Sequence, residues 1–138
     1  MAETGAIFGG EHSGHFYFAD FWRADSGMLA ALHAIAALGA TELKLSELLA
    51  PYSRYFASGE INSKVKDGAA IISSLKARYQ DQPGVSIDEL DGLTVDGDTW
   101  WFNVRASNTE PLLRLNVEAK SEAQMVNLRD ELLALIRA

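Results

Sequence analysis

The chain of 138 residues contains no cysteine, which excludes disulfide frameworks and thiolate zinc sites and leaves a reducing cytoplasm as the expected setting. It is also short of cations. Twelve Lys and Arg stand against 19 Asp and Glu, a formal net charge of -7. Affinity for a phosphate backbone comes from clustered cations that release counterions, so no nucleic-acid partner is expected and any anion site must be local. No apolar run approaches the roughly 18 residues that a membrane span needs, and no basic segment leads into one, so neither a membrane partner nor a signal peptide is expected. What is plentiful is apolar residues, at 48%. That is enough for one domain with a core, or one domain plus an appendage.

The chain enters a strand-like run, "AIF", within a few residues of Met1, with no earlier element to pair with it. Strands need neighbours to satisfy their backbone groups, so Met1 is expected to be a cut point in, or a tag remnant on, a longer parent. After the glycine-rich "GGEHSGH", the aromatic "FYFADFW" reads as extended, and Asp25-Ser26 as a helix N-cap. The helix that follows, Ser26 to about Leu38, is apolar almost all round and is expected to be buried on more than one side. "GATELK" is polar and is the expected boundary.

From Ser46, which is expected to cap a short helix distorted by Pro51, the pattern is self-contained. "GEINSKV" reads as a strand and Asp67 opens a helix with Ile71, Ile72, Leu75 and Tyr79 at helical spacing. Strands follow near "LTV", "WWFNVR" and "LLRLNVE", with the Asp-Gly of "VDGDT" as a hairpin turn. Leu113, Leu115 and Val117 alternate with Arg114, Asn116 and Glu118, as in a sheet covered on one face. Ser121 and Gln124 form a capping box for a final helix with Met125, Leu128, Leu132 and Leu135 as its stripe. The expected class is α+β, an antiparallel four-stranded sheet backed by helices.

"RASNTEP" joins two of those strands. A guanidinium (Arg105), two hydroxyls (Ser107 and Thr109), an amide (Asn108) and exposed turn N–H groups are what a tetrahedral oxyanion needs. Ser-Asn-Thr is also ordinary turn chemistry, since such side chains hydrogen-bond their own backbone.

The order of residues in "RASNTEPLLRLNVEA" resembles the phosphate-binding loop of the α-D-phosphohexomutases, and "GEHSGH" resembles the sugar-binding loop of the same family. The likeness covers essentially the whole chain, and "DGLTVD" and "WWFNVR" bring it nearest to the bacterial phosphomannomutase branch. It implies that residues 1–40 are the tail of a third, α/β domain and 45–138 a C-terminal phosphate-binding domain with a TATA-binding-protein-like fold, no DNA binding being implied. The family moves phosphate between the 1 and 6 positions of a hexose, by way of a phosphoserine and Mg²⁺. Carried over by position, Glu11 and Ser13 bind sugar hydroxyls. Arg105, Ser107, Asn108 and Thr109 hold the non-reacting phosphate of a mannose or glucose 1- or 6-phosphate, and His15 stands near the reacting end as a candidate catalytic residue, suited either to proton handling or to neutral hydrogen bonding. Arg114 is expected to order the loop, and Glu110 to orient the loop or Arg105.

Nothing in the chain resembles the family's Ser-His-Asn-Pro nucleophile loop or its Asp-Gly-Asp-x-Asp-Arg metal loop. Asp96-Gly97-Asp98 mimics the latter's opening but reads as a turn. The chain is therefore expected to be inactive alone, to bind no metal itself and to have upstream domains of the parent as partners. The alternative is a stand-alone phosphate or phosphosugar binding module, which would have to bury the apolar surface of residues 7–38. The His12 and His15 pair is a weak metal signal without a third ligand. His33 reads as a packed or edge histidine, and Trp22, Trp100 and Trp101 as packing rather than a sugar-stacking platform.

Overall fold

The computed structural model describes residues 1–11, 13–107 and 110–138. They form two compact units, Met1–Tyr52 and Ser53–Ala138.

The first unit is a three-stranded antiparallel sheet, β1 (Phe8–Gly10), β2 (Phe16–Phe18) and β3 (Ala24–Asp25), in that order, followed by α1 (Gly27–Gly39). Ser26 caps α1 as expected, its hydroxyl accepting from the Leu29 N–H at 3.2 Å. Ser46 does not cap the next helix, α2 (Leu45–Leu49). Lys44 holds that position, and the Glu47 carboxylate turns back to accept from the Lys44 N–H at 2.8 Å. Pro51 then tightens the chain into a 3₁₀ turn at Ala50–Tyr52. No residue of α1 is buried, and Met28, Leu32 and Ile35 are all more than half exposed. The expected burial on several sides is absent within the described residues, and the surface is bare, as expected of that helix in an isolated fragment. Trp22 is 85% exposed, which corrects its assignment to packing, and it shares with Arg23 a φ of 54°, a left-handed conformation unusual for such side chains.

The second unit is one antiparallel sheet with helices on one face. Its strands are β4 (Phe56–Ala57), β5 (Ile61–Lys64), β6 (Ser86–Asp88), β7 (Leu93–Asp96), β8 (Trp100–Ala106) and β9 (Leu112–Ala119). The four expected strands lie in the order β5-β9-β8-β7; β6 extends one edge, and β4 continues the other along β9. α3 (Gly68–Tyr79) and α4 (Glu122–Ile136) pack on the face formed by Leu113, Leu115, Val117 and Ala119, each 1% exposed or less. Leu93 and Val95 of β7, Phe102 and Val104 of β8 and Leu75 of α3 belong to the same core, each such burial of a large side chain contributing about 1.5–3 kcal/mol. Trp100 belongs to it too, stacked on Phe102 and set edge-on to Tyr79.

N-caps start these helices where expected, with one correction to a capping box and one to the apolar stripe of α4. Asp67 accepts from the Ala70 N–H at 2.9 Å. Ser121 accepts from the Gln124 N–H, but the Gln124 amide donates to the Thr99 hydroxyl instead of closing a capping box. On α4 Met125, Leu132 and Ile136 are buried and Leu128 packs half-buried against the same core, whereas Leu135 lies at the rim and Ile136 takes its place in the stripe. The β7–β8 hairpin is closed by the Gly97 N–H donating to the Trp100 carbonyl at 2.8 Å. Gly97 does not take the left-handed conformation of an Asp-Gly turn. It is glycine because the Trp100 indole lies where a Cβ would be, 2.6 Å from it.

Candidate functional site

Two groups of polar side chains carry the chemistry, one in each unit. In the first, the "GEHSGH" loop bridges β1 and β2. The Glu11 N–H donates to the His15 carbonyl at 2.9 Å, and the Gly14 N–H to the Glu11 carbonyl at 3.0 Å. Both Glu11 oxygens are engaged: Tyr17 Oη donates to one at 2.6 Å and Ser13 Oγ to the other at 2.9 Å. These hydroxyls, Tyr17 first, hold the Glu11 carboxyl below its ordinary range, so it stands as a carboxylate acceptor. Because its hydroxyl donates to Glu11, Ser13 has only acceptor capacity left for a further partner.

Just before β2, His15 Nδ1 lies 2.7 Å from Oδ2 of Asp25 on β3, and the Phe16 N–H donates to the other Asp25 oxygen at 2.8 Å. A carboxylate only accepts, so Nδ1 carries the proton and Nε2 points away from Asp25. The hydrogen bond to Asp25 raises the His15 pKa, and the same bond lowers that of Asp25. Sequence reasoning missed Tyr17 and Asp25 as members of this loop's network. Tyr17 was hidden in an aromatic run, and Asp25 was read only as part of a cap.

In the second unit, Arg105 sits near the end of β8 and Ser107 just beyond it. The Ser107 N–H donates to the Leu112 carbonyl at 3.0 Å, which closes the loop between β8 and β9. Asn108 and Thr109, like His12, lie outside the described residues. Arg105 pairs with Glu60 at 3.3 Å and Asp91 at 3.6 Å, and Glu60 also lies 3.7 Å from Arg114. Among the described residues no ion pair joins Arg105 to Glu110, and the Glu110 carbonyl accepts from the Leu112 N–H at 2.8 Å. Glu60 and Asp91 were not singled out from sequence, where they lie 45 and 14 positions from Arg105 with no local pattern linking them. On the same face, Trp101 Nε1 donates to Glu118 at 3.1 Å. His33 stacks on Phe18, with ring centroids 5.3 Å apart. Among the described residues no group of three or more His, Asp or Glu is placed to hold a metal ion, and no helix is long and apolar enough to cross a membrane.

A family model described as the phosphoglucomutase/phosphomannomutase C-terminal domain matches residues 60–135, more than half of the chain, and the same family's alpha/beta/alpha domain III matches residues 1–55. The chain belongs to the phosphoglucomutase/phosphomannomutase family. Its parent family is one of isomerases that act as phosphotransferases. It is 42% identical over 136 residues to a phosphomannomutase of Methanocaldococcus jannaschii, covering 99% of this chain and 30% of that protein. A phosphomannomutase of Escherichia coli is 40% identical over 139 residues, at the same coverage. The chain thus spans about 30% of the length of these curated relatives. A crystal structure of a phosphoglucomutase/phosphomannomutase family protein from Burkholderia thailandensis superposes with a TM-score of 0.76 at 29% identity, over 97% of this chain and 28% of that one. Within the family, residues 60–135 are the part that holds Arg105 and Ser107, and residues 1–55 the part that holds Glu11, Ser13 and His15.

Proposed function

We propose that this chain supplies two substrate-binding loops of a phosphohexomutase that interconverts hexose 6-phosphate and hexose 1-phosphate, in a cytoplasmic setting. The observation that carries the reading is the Arg105 guanidinium at the base of the closed β8–β9 loop, on the sheet face that the helices leave free. Charge-assisted hydrogen bonds contribute about 1.5–3 kcal/mol each, so a single such loop grips a phosphate without a basic surface around it. Arg105, Ser107, Asn108 and Thr109 take the phosphate that is not reacting. The Glu11 carboxylate accepts from sugar hydroxyls, and Ser13 offers its oxygen beside it. His15 presents Nε2 to the substrate, and Asp25 keeps that ring charged to higher pH, which favours donation over acceptance.

Holding a remote phosphate positions the rest of the substrate, and binding energy realised there lowers the barrier elsewhere. Phosphoryl transfer itself needs a nucleophile and charge stabilisation that this chain's residues are not proposed to supply. Mg²⁺ belongs, on this reading, to other domains of the parent, and the described residues here do not fit it. The exposed apolar side chains Ile7, Phe8, Met28, Leu32 and Ile35 are where such domains would pack, and Ile7 and Phe8 line, with Phe16, Phe18 and Leu29, an open hollow of about 810 Å³.

The test is a titration of the isotope-labelled chain with mannose 1-phosphate, inorganic phosphate and free mannose, followed by backbone amide shifts. Saturable shifts at Arg105 to Thr109 with both phosphates, lost in Arg105→Ala, are expected. Shifts produced equally by free mannose, or none at that loop, would sink the reading.

A further inference from the structure

Arg105 and Arg114 stand directly opposite each other in the β8–β9 register. Opposed side chains in an antiparallel pair share a face, and like charges there repel. The Glu60 carboxylate, at the break between β4 and β5, meets both: Oε2 is 3.3 Å from Arg105 Nη2 and Oε1 is 3.7 Å from Arg114 Nη1. Its side chain is only 25% exposed. Among the described residues Asp91 Oδ2 pairs with Arg105 alone, 3.6 Å from Nη1, with its side chain 76% exposed. Arg114 Nε is buried without a hydrogen-bond partner among the described residues, so its head group is steered chiefly through Nη1 and Glu60. The two acids therefore differ in how easily they can leave. Glu60 is tied to two cations and sheltered, whereas Asp91 is tied to one and open to water.

We propose that Glu60 is a positioning residue, which keeps Arg105 aimed at an oxyanion in both the empty and the loaded loop, while Asp91 is a placeholder that the incoming phosphate displaces from Arg105. This rests on the reading of the Arg105 loop as a phosphate site. The backbone supports the division of roles. Ser58 donates its N–H to the Val117 carbonyl and accepts the Val117 N–H on its hydroxyl, so the strand break that presents Glu60 is pinned to β9. Asp91 lies in the exposed turn before β7.

The two roles predict opposite signs. Were both carboxylates simply negative charges beside an anion site, neutralising either would tighten phosphate binding. If Glu60 positions Arg105, Glu60→Gln frees the guanidinium from its aim and weakens binding of inorganic phosphate by about tenfold. Asp91→Asn removes a competitor and leaves binding unchanged or up to about threefold tighter. Glu60→Asp keeps the charge but draws it back by one methylene, so it is expected to behave as Glu60→Gln does, and it serves if that variant fails to fold. Dissociation constants are read from amide shifts of the 138-residue chain at constant ionic strength, with the Arg105 Nε–H resonance as a report of guanidinium order. Unchanged or tighter binding in both Glu60 variants, or equal weakening in Asp91→Asn, overturns the proposal. Arg105→Ala binding phosphate as well as the parent sequence would instead overturn the phosphate-loop reading beneath it.

Discussion

At the scale of single residues, His15 and Asp25 form the pair whose behaviour is easiest to check. The Asp25 carboxylate raises the His15 pKa, so this contribution to stability is fully present below the unfolded imidazole value and is lost as pH rises through the raised folded one. Asp25 is shifted down, so its share is present above its unfolded value and is lost as pH falls through the lowered one. The pair is thus intact between the lowered Asp25 and raised His15 values. An NMR titration of the His15 ring is expected to show a midpoint above the ordinary imidazole value that falls back in Asp25→Asn. A midpoint that does not move on that substitution would show that Asp25 does not govern the ring. Ser13 and His15 were readable from their motif, but Tyr17 was not, because an aromatic residue in a strand usually announces packing rather than a hydrogen bond to Glu11.

At the scale of elements, Gly92 shows how the turn before one strand sets the position of a side chain on the next. Its φ of 74° is in the left-handed region, and a Cβ there would meet the Val104 carbonyl oxygen at 2.5 Å and Arg105 Cβ at 2.7 Å. The backbone before β7 can lie against β8 only if that position has no side chain. Gly92→Ala is therefore expected to cost about 2–4 kcal/mol in urea unfolding and to weaken phosphate binding through Arg105. A variant as stable as the parent sequence, with unaltered amide shifts around Arg105, would show that β7 and β8 can separate at no cost. Helix starts were legible at Ser26, Asp67 and Ser121, because a cap is a local bond over three residues. Ser46 misled because an acidic residue, Glu47, serves the start from inside the helix instead.

At the scale of the whole molecule, the two units differ in what holds them. Residues 53–138 have a shared core of apolar side chains that includes Leu75, Phe102 and Leu132. Among its described residues the first unit has no fully buried apolar side chain, and it exposes Ile7, Met28 and Ile35. Segments with few buried contacts open first, so limited proteolysis is expected to remove residues up to about 52 and leave a product that keeps the cooperative melting transition. Early cuts within α3 or α4 would mean that the second unit does not stand by itself. A hydrophobic dye is expected to bind the intact chain and not the trimmed product.

By itself the sequence determined what depends on neighbours a few positions apart: the alternation of β9, the caps, and the two loop motifs that place the chain in its family. It also carried the four expected strands, since period-two burial is written directly in "LLRLNVEA". Only the tertiary structure decided which acids serve Arg105, that Gly97 yields its space to Trp100, and that Ile136 rather than Leu135 turns inward. The physical reason is register: Glu60, at the mouth of β5, and Arg105 on β8 meet because β5 and β8 both flank β9, and a shift of one residue in either ladder would send these side chains to the opposite face.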